Sequence, residues 1–360
     1  MGPGALQAHR RGGGRPVHRL GRTADDLYGH GAGHERPPPR RRARASPPLT
    51  LVLHPGALGD VLLAIPALRA IRQRWPDARL TLAAQPRIGE LLTTLGVVDR
   101  SVAFDSLGLD ALFGDHPVEA DRAWPARCAE ELRRAARVVS WFGSRDPDFA
   151  RRLTSLVPCA LVAPSVGGHG AVWRHLLGTV APGVEDASRW RERIAVPASV
   201  ADAGRRELER AGWDGRTPVL VVHPGAGGRT KQWPAQGFAS VLESLEAIGR
   251  PMVVVHRGPA DADAVAALRP RLARGVVLLE EPPLAGLAGV LSHASAYLGN
   301  DSGISHLAVA LGVRSTVLFT ADHVAWRPWL CTVEPLVVST QTVEPADVDR
   351  VRRALAGPVG

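Results

Sequence analysis

The chain has 360 residues, 45% of them apolar, which is long enough for two domains of ordinary size, each with its own core. Its formal charge of +9 suggests a polyanionic partner until it is mapped: residues 1–47 hold 10 arginines against 3 acids, so +7 belongs to that stretch and only +2 to the rest. The remaining chain has no charge excess that demands nucleic acid, and it has no uncharged apolar run of the roughly 18 residues that a membrane span requires.

Residues 1–47 run through Arg10-Arg11-Gly12-Gly13-Gly14-Arg15 and Pro37-Pro38-Pro39-Arg40-Arg41-Arg42 with almost no apolar periodicity. They are expected to be a disordered Arg-rich tail, without the apolar centre of a secretory signal or the pattern of an amphipathic transit helix. An arm that touches anionic lipid or nucleic acid is the alternative; such binding would depend steeply on salt and vanish when 1–47 is deleted. Cys128, Cys159 and Cys331 are odd in number, far apart and lack a Cys-x-x-Cys pair, so they read as reduced, buried small hydrophobes of a cytosolic protein.

The first strand, Leu51-Val52-Leu53-His54-Pro55-Gly56-Ala57, recurs 169 residues later as Leu220-Val221-Val222-His223-Pro224-Gly225-Ala226. Each copy is a buried-strand run broken by Pro-Gly. After the first, a helical pattern continues from Val61 to Trp75, followed by strands at 80–84 and 137–142. The second copy repeats the alternation: helix 235–248, strand 252–256, helix 261–273, strand 276–279, helix 284–293, strand 296–298, helix 304–311, strand 316–319. This is βαβ grammar, with Thr179 to Val200 as a weakly periodic stretch between two parallel-sheet halves. The expected division is a tail at 1–47, one Rossmann-like domain at 48–180, a linker or crossover at 181–215, a second Rossmann-like domain at 216–345 and a C-terminal helix at 346–360. Ligands of open parallel sheets sit beyond the carboxyl ends of the strands, so both Pro-Gly-Ala turns should open onto one interdomain cleft.

Lys231 is the only lysine among 44 basic residues and follows the Gly-rich run Gly225-Ala226-Gly227-Gly228-Arg229-Thr230. A compact ammonium kept amid such arginine bias suggests a phosphate, although chance survival of a surface lysine is the plain alternative. Asp60, in Gly56-Ala57-Leu58-Gly59-Asp60, stands near a helix start; it is either an ordinary N-terminal acid or a cleft carboxylate able to take a proton from an attacking hydroxyl. Gly299-Asn300-Asp301-Ser302-Gly303-Ile304-Ser305-His306 follows a strand and opens a helix, so the backbone N–H groups from Ser302 onward make an anion site. Asp301 could merely cap that helix, and His306, one turn in, could be a neutral core imidazole. Together these features suggest a reaction whose leaving group is a diphosphate.

These runs, with Pro66 after Asp60 and Lys231-Gln232-Trp233-Pro234 after the second turn, resemble glycosyltransferase family 9, the lipopolysaccharide heptosyltransferases, in order and spacing. The resemblance extends from about Leu49 to the C-terminus and is poor over 105–200, in the half that holds the acceptor in this family. It implies an α/β chain of GT-B fold, two Rossmann-like doubly wound domains facing a cleft, and inversion without a bound metal or cofactor. It further implies Asp60 as general base and Lys231 as the cation that neutralises the departing diphosphate. Asp301 would hold donor-sugar hydroxyls, Ser302 and Gly303 would form the phosphate-binding helix start, Gly227 and Thr230 would line the loop, and His306 would be architectural.

Three other patterns are weaker. Asp261-Ala262-Asp263 spells the Asp-x-Asp of metal-dependent glycosyltransferases, but after Gly258-Pro259 it reads as the cap of a surface helix, with ribose contact as a lesser alternative. The Gly-rich run falls one glycine short of a dinucleotide fingerprint, which disfavours a nicotinamide cofactor. His169 and His175 lack metal-ligand spacing and read as solvent-facing. The resulting expectation is a cytoplasmic transferase moving heptose or a related sugar from ADP-heptose to a lipopolysaccharide-core or other envelope saccharide. Peripheral contact with the inner membrane is allowed, and no specific nucleic acid is expected. Use of another nucleotide sugar, or non-catalytic binding of one, are the alternatives.

Overall fold

A computed structural model of the chain describes residues 47–114, 123–168, 170–246, 251–272, 275–330 and 335–356. The expected tail, apart from Pro47, lies outside them, as do His169 and Cys331. Ser46–Gly360 forms one compact unit.

Within it the first lobe runs β1 (Leu49–Leu53), α1 (Leu58–Leu63), α2 (Ile65–Arg74), β2 (Arg79–Ala84), α3 (Pro86–Thr94), β3 (Arg100–Ala103), α4 (Glu130–Arg133), β4 (Ala135–Ser140), α5 (Pro147–Leu156), β5 (Ala160–Val162) and α6 (Val172–Val180). After α7 (Ala198–Arg210), the second lobe runs β6 (Val219–His223), α8 (Ala235–Glu246), β7 (Met252–Arg257), α9 (Ala262–Leu268), β8 (Val277–Glu280), α10 (Leu284–Leu291), β9 (Ala296–Asn300), α11 (Gly303–Ala310), β10 (Ser315–Phe319), β11 (Leu336–Val337) and α12 (Pro345–Ala356).

Both sheets are parallel, with strand orders β3-β2-β1-β4-β5 and β11-β10-β9-β6-β7-β8. Strands β1 and β6 are buried along almost their whole length, as strands covered by helices on both faces must be. In each sheet the order reverses beside the strand that leads into a Pro-Gly turn, at β1/β4 and at β6/β9. Such switch points are where open α/β sheets bind ligands. The helical pattern read from Val61 to Trp75 is two helices: the first ends at Ala64, and Pro66, which has no N–H to donate, sits in the opening turn of α2.

One apolar cluster spans both lobes, from Val52, Leu62 and Ile65 through Trp190 and Ile194 to Leu287, Tyr297 and Leu307. The stretch read as a linker contains helix α7, which packs backbone to backbone on α10. A Cβ on Gly204 would lie 2.0 Å from the Gly289 carbonyl carbon, and one on Gly289 would lie 2.3 Å from the Val200 oxygen. Removing the side chain at both positions allows this approach. Cys128 is buried as expected, whereas Cys159 is exposed; it stands in the turn after α5, immediately before the short strand β5.

Candidate active site

At the carboxyl end of β1 the chain turns through Pro55-Gly56 into α1. The turn is tight: a Cβ on Gly56 would fall 2.8 Å from His54 Cε1 and 2.9 Å from Asp60 Cβ, so glycine lets the imidazole and the carboxylate flank the same turn. Gly56 N–H donates to His54 Nδ1 (3.3 Å), and Ala57 N–H donates to Asp60 Oδ2 (3.2 Å). His54 is therefore the tautomer with its proton on Nε2. Burial pushes this ring down to about 4, against a smaller upward pull from Asp60, so it is neutral at pH 7.

In the second lobe, β9 delivers Asn300, Asp301 and Ser302 to the start of α11. Ser302 is the cap, its hydroxyl accepting from Ser305 N–H at 3.3 Å, which leaves Asp301 without a capping duty. Asp301 is 5% exposed and flanked on both oxygens: Lys231 Nζ lies 3.1 Å from Oδ2, and His306 Nε2 lies 3.6 Å from Oδ1. Burial works against its charge, but the His306 ring and the Lys231 ammonium together hold the carboxyl below the usual carboxylate range.

Asn300, wholly buried, fixes the loop that carries Lys231. Its amide NH₂ donates to Pro224 O (2.8 Å), and its oxygen accepts from Trp233 N–H (3.0 Å). Lys231 lies between these two anchored points. Sequence reading assigned Asn300 no role, because its place in the motif gives no sign that its side chain is turned inward.

The two assemblies meet. A Cβ on Gly59 would approach His306 Cδ2 to 3.0 Å, and one on Gly303 would approach Leu58 Cβ to 2.8 Å, so α1 and α11 pack with glycine on each side. Between the lobes opens a cavity of about 760 Å³. Its lining includes Asp60 and His54 from the first lobe, Lys231 and Trp326 from the second, and the Trp141-Phe142-Gly143-Ser144-Arg145 segment after β4. Of the expected site residues, Asp60 and Lys231 thus share one cavity. Asp301 and His306 stand beside Lys231, and Ser302 and Gly303 begin α11. Gly227 and Thr230 are exposed and are not among the described residues that line the cavity.

Asp261 departs from the surface-cap expectation. It is buried, its Oδ2 accepts from Gly258 N–H (2.9 Å), and it makes no side-chain bond into α9. The exposed acid of the pair, Asp263, is bonded to Arg229. Asp261 instead joins His223 and His256, whose Nδ1 atoms are 3.1 Å apart; these three can each offer a ligand atom within 4.8 Å of the others. Among the described residues this is the one group with the donor set for a divalent metal. It lies at the ends of β6 and β7, does not line the cavity, and Gly225 closes over it: a Cβ there would fall 1.9 Å from Asp261 Oδ1.

Residues 194–351 match glycosyltransferase family 9 (heptosyltransferase). A lipopolysaccharide heptosyltransferase 3 of Escherichia coli is 28% identical over 302 residues, covering 75% of this chain and 83% of the relative. Lipopolysaccharide heptosyltransferase 1 of Pseudomonas aeruginosa is 32% identical over a shorter stretch, 34% of this chain and 35% of that protein. Among solved structures, the ADP-heptose lipopolysaccharide heptosyltransferase II of E. coli superposes with a TM-score of 0.64 at 17% identity, covering 85% of this chain and 97% of that one. An E. coli heptosyltransferase solved with ADP gives 0.57 at 16% identity, covering 85% and 98%. The two facing Rossmann-like lobes are the GT-B architecture of these neighbours. Over residues 194–351 the chain matches the model of glycosyltransferase family 9, and it resembles the lipopolysaccharide heptosyltransferases in sequence and fold.

Proposed function

We propose that the protein is an inverting glycosyltransferase that moves heptose, or a related sugar, from an ADP-linked donor to a lipopolysaccharide-core or other envelope saccharide. The observation that carries this reading is that Asp60 and Lys231, from different lobes, line one cavity. The names of the relatives support the sugar and the acceptor class, and the neighbour solved with ADP supports the base.

In this reaction Asp60 accepts the proton of an acceptor hydroxyl as that oxygen attacks the anomeric carbon from the face opposite the diphosphate. The new glycosidic C–O bond forms as the bond to the diphosphate breaks, the configuration inverts, and ADP leaves. Lys231 and the amide groups at the start of α11 receive the charge that develops on the departing oxygen. A fixed charge in a cleft of low dielectric is worth several kcal/mol there. Asp301 accepts hydrogen bonds from donor-sugar hydroxyls, and Gly227 and Thr230 border the donor loop. Lys231 supplies the cation at the leaving group, so the step is proposed to run without a bound metal.

Among the described residues no helix is long and apolar enough to cross a membrane. The proposed location is the cytoplasm, with peripheral contact at the inner membrane where a glycolipid acceptor would be met. Mass spectrometry of products after incubation with ADP-heptose and core oligosaccharides tests the assignment: an acceptor heavier by one heptose supports it, and absence of transfer from any ADP-sugar contradicts it. Thermal shifts with ADP, UDP and GDP separate the donor bases.

A further inference from the structure

The cavity floor beside Asp60 holds a polar group that catalysis as described does not use. His54 is 2% exposed and lines the cavity together with Trp141, whose ring meets the imidazole edge-on with centroids 5.6 Å apart. Its Nδ1 is occupied by Gly56 N–H, yet its Nε2 has no hydrogen-bond partner. A buried N–H left unbonded is costly, and one that faces a binding cavity can be satisfied by an acceptor on a bound ligand.

The surroundings define the chemistry of that ligand. Charged residues lining the cavity are Asp60, Asp146, Arg145 and Lys231, two of each sign. Asp146 is engaged as the cap of α5, accepting from Phe149 N–H, and Lys231 is paired with Asp301. Much of the remaining wall is aromatic: Phe113, Trp141, Phe142 and Trp326. A neutral imidazole donor beside an indole suits a pyranose, which presents hydroxyl oxygens at its rim and C–H groups on its face. The two lining cations are balanced by the two lining carboxylates, and Lys231 is already paired with Asp301, so the described lining has no net positive charge to favour a phosphate or carboxylate.

Resting on the glycosyltransferase reading, we propose that His54 is an acceptor-specificity residue: its Nε2–H donates to a hydroxyl oxygen of an uncharged pyranose seated against Trp141, turning a second hydroxyl of that ring toward Asp60. His54 acts in recognition; Asp60 performs the proton transfer.

The test uses full-length protein saturated with ADP, and methyl α-D-mannopyranoside and its 6-phosphate as probes, with affinities read by ligand-observed NMR. The neutral pyranoside is expected to bind, the phosphate no more tightly, and His54→Ala to raise the pyranoside Kd at least ten-fold. His54→Gln, which restores an N–H donor, is expected to recover most of the loss. In ring-labelled wild type, the His54 Nε2–H resonance shifts on adding the pyranoside, a readout that needs no substitution. The proposal is overturned if the pyranoside fails to bind, if the phosphate binds more than ten-fold better, or if the resonance does not move and His54→Ala binds as wild type does. An absent ADP thermal shift beside His54-dependent pyranoside binding would sink the donor reading and leave this one standing.

Discussion

Lys231 Nζ lies 3.1 Å from Asp301 Oδ2, so the only lysine of the chain, which lines the cavity between the lobes, is paired with a nearly buried carboxylate. Removing the cation leaves Asp301 with the His306 ring on its other oxygen. Lys231→Ala is therefore expected to lower the melting temperature by a few degrees while reducing kcat by roughly 10²–10³, the usual cost of losing a leaving-group stabiliser. Calorimetry beside a transfer assay checks this. Equal losses of stability and activity would mean that the lysine serves the fold.

Asp60→Asn keeps an oxygen that can accept from Ala57 N–H, so the turn should survive. Transfer is expected to fall by about 10²–10⁴, the range for a lost general base, with the ADP-induced thermal shift unchanged. Unaltered transfer would remove the assignment.

Gly303 meets Leu58 across the lobe contact, where an added Cβ would come within 2.8 Å. Gly303→Ala should destabilise the protein by about 1–3 kcal/mol, the range for overpacking, even though alanine is the better helix former. Leu58→Gly removes that Cβ and opens the space, so the double variant should lose less than the two single losses together. Strict additivity in denaturant melts would argue that α1 and α11 do not touch in solution.

Burial also keeps three histidines neutral. His54 is pushed down to about 4, and His223 and His256 are both pushed well below the ordinary imidazole value, desolvation being the main cause in each. The unfolded chain then binds more protons than the folded one below about pH 6.5, so stability is lost as pH falls through that value toward 4 and is fully present above it. Asp261, raised by burial, acts in the opposite direction. Melting temperatures across pH 4–8 should decline on the acid side, and less so for His256→Thr. A flat wild-type profile would show that these rings are solvated.

The legible parts were those written in local pattern. The repeated His-Pro-Gly at 54–56 and 223–225 marks both switch points, and the run Asn300 to His306 marks a helix opening at a strand end. What stayed hidden depends on contacts between distant segments. Nothing near Asn300 says that its amide reaches Pro224 and Trp233, and Gly59 and Gly303 look like turn residues until α1 is seen against α11. Asp261 was misread because a capping position resembles a surface position in sequence, and its burial under Gly225 is decided 36 residues away. His54 reads in sequence only as part of a buried-strand run before Pro55, since only the tertiary structure reveals an imidazole with one nitrogen unbonded.

A crystal structure of the protein with ADP tests the account most directly. It predicts the terminal phosphate within hydrogen-bond reach, roughly 3 Å, of both Lys231 Nζ and the amides that open α11, on the side of the cleft facing Asp60. A diphosphate bound away from Lys231, with Asp60 opening onto a different pocket, would contradict it.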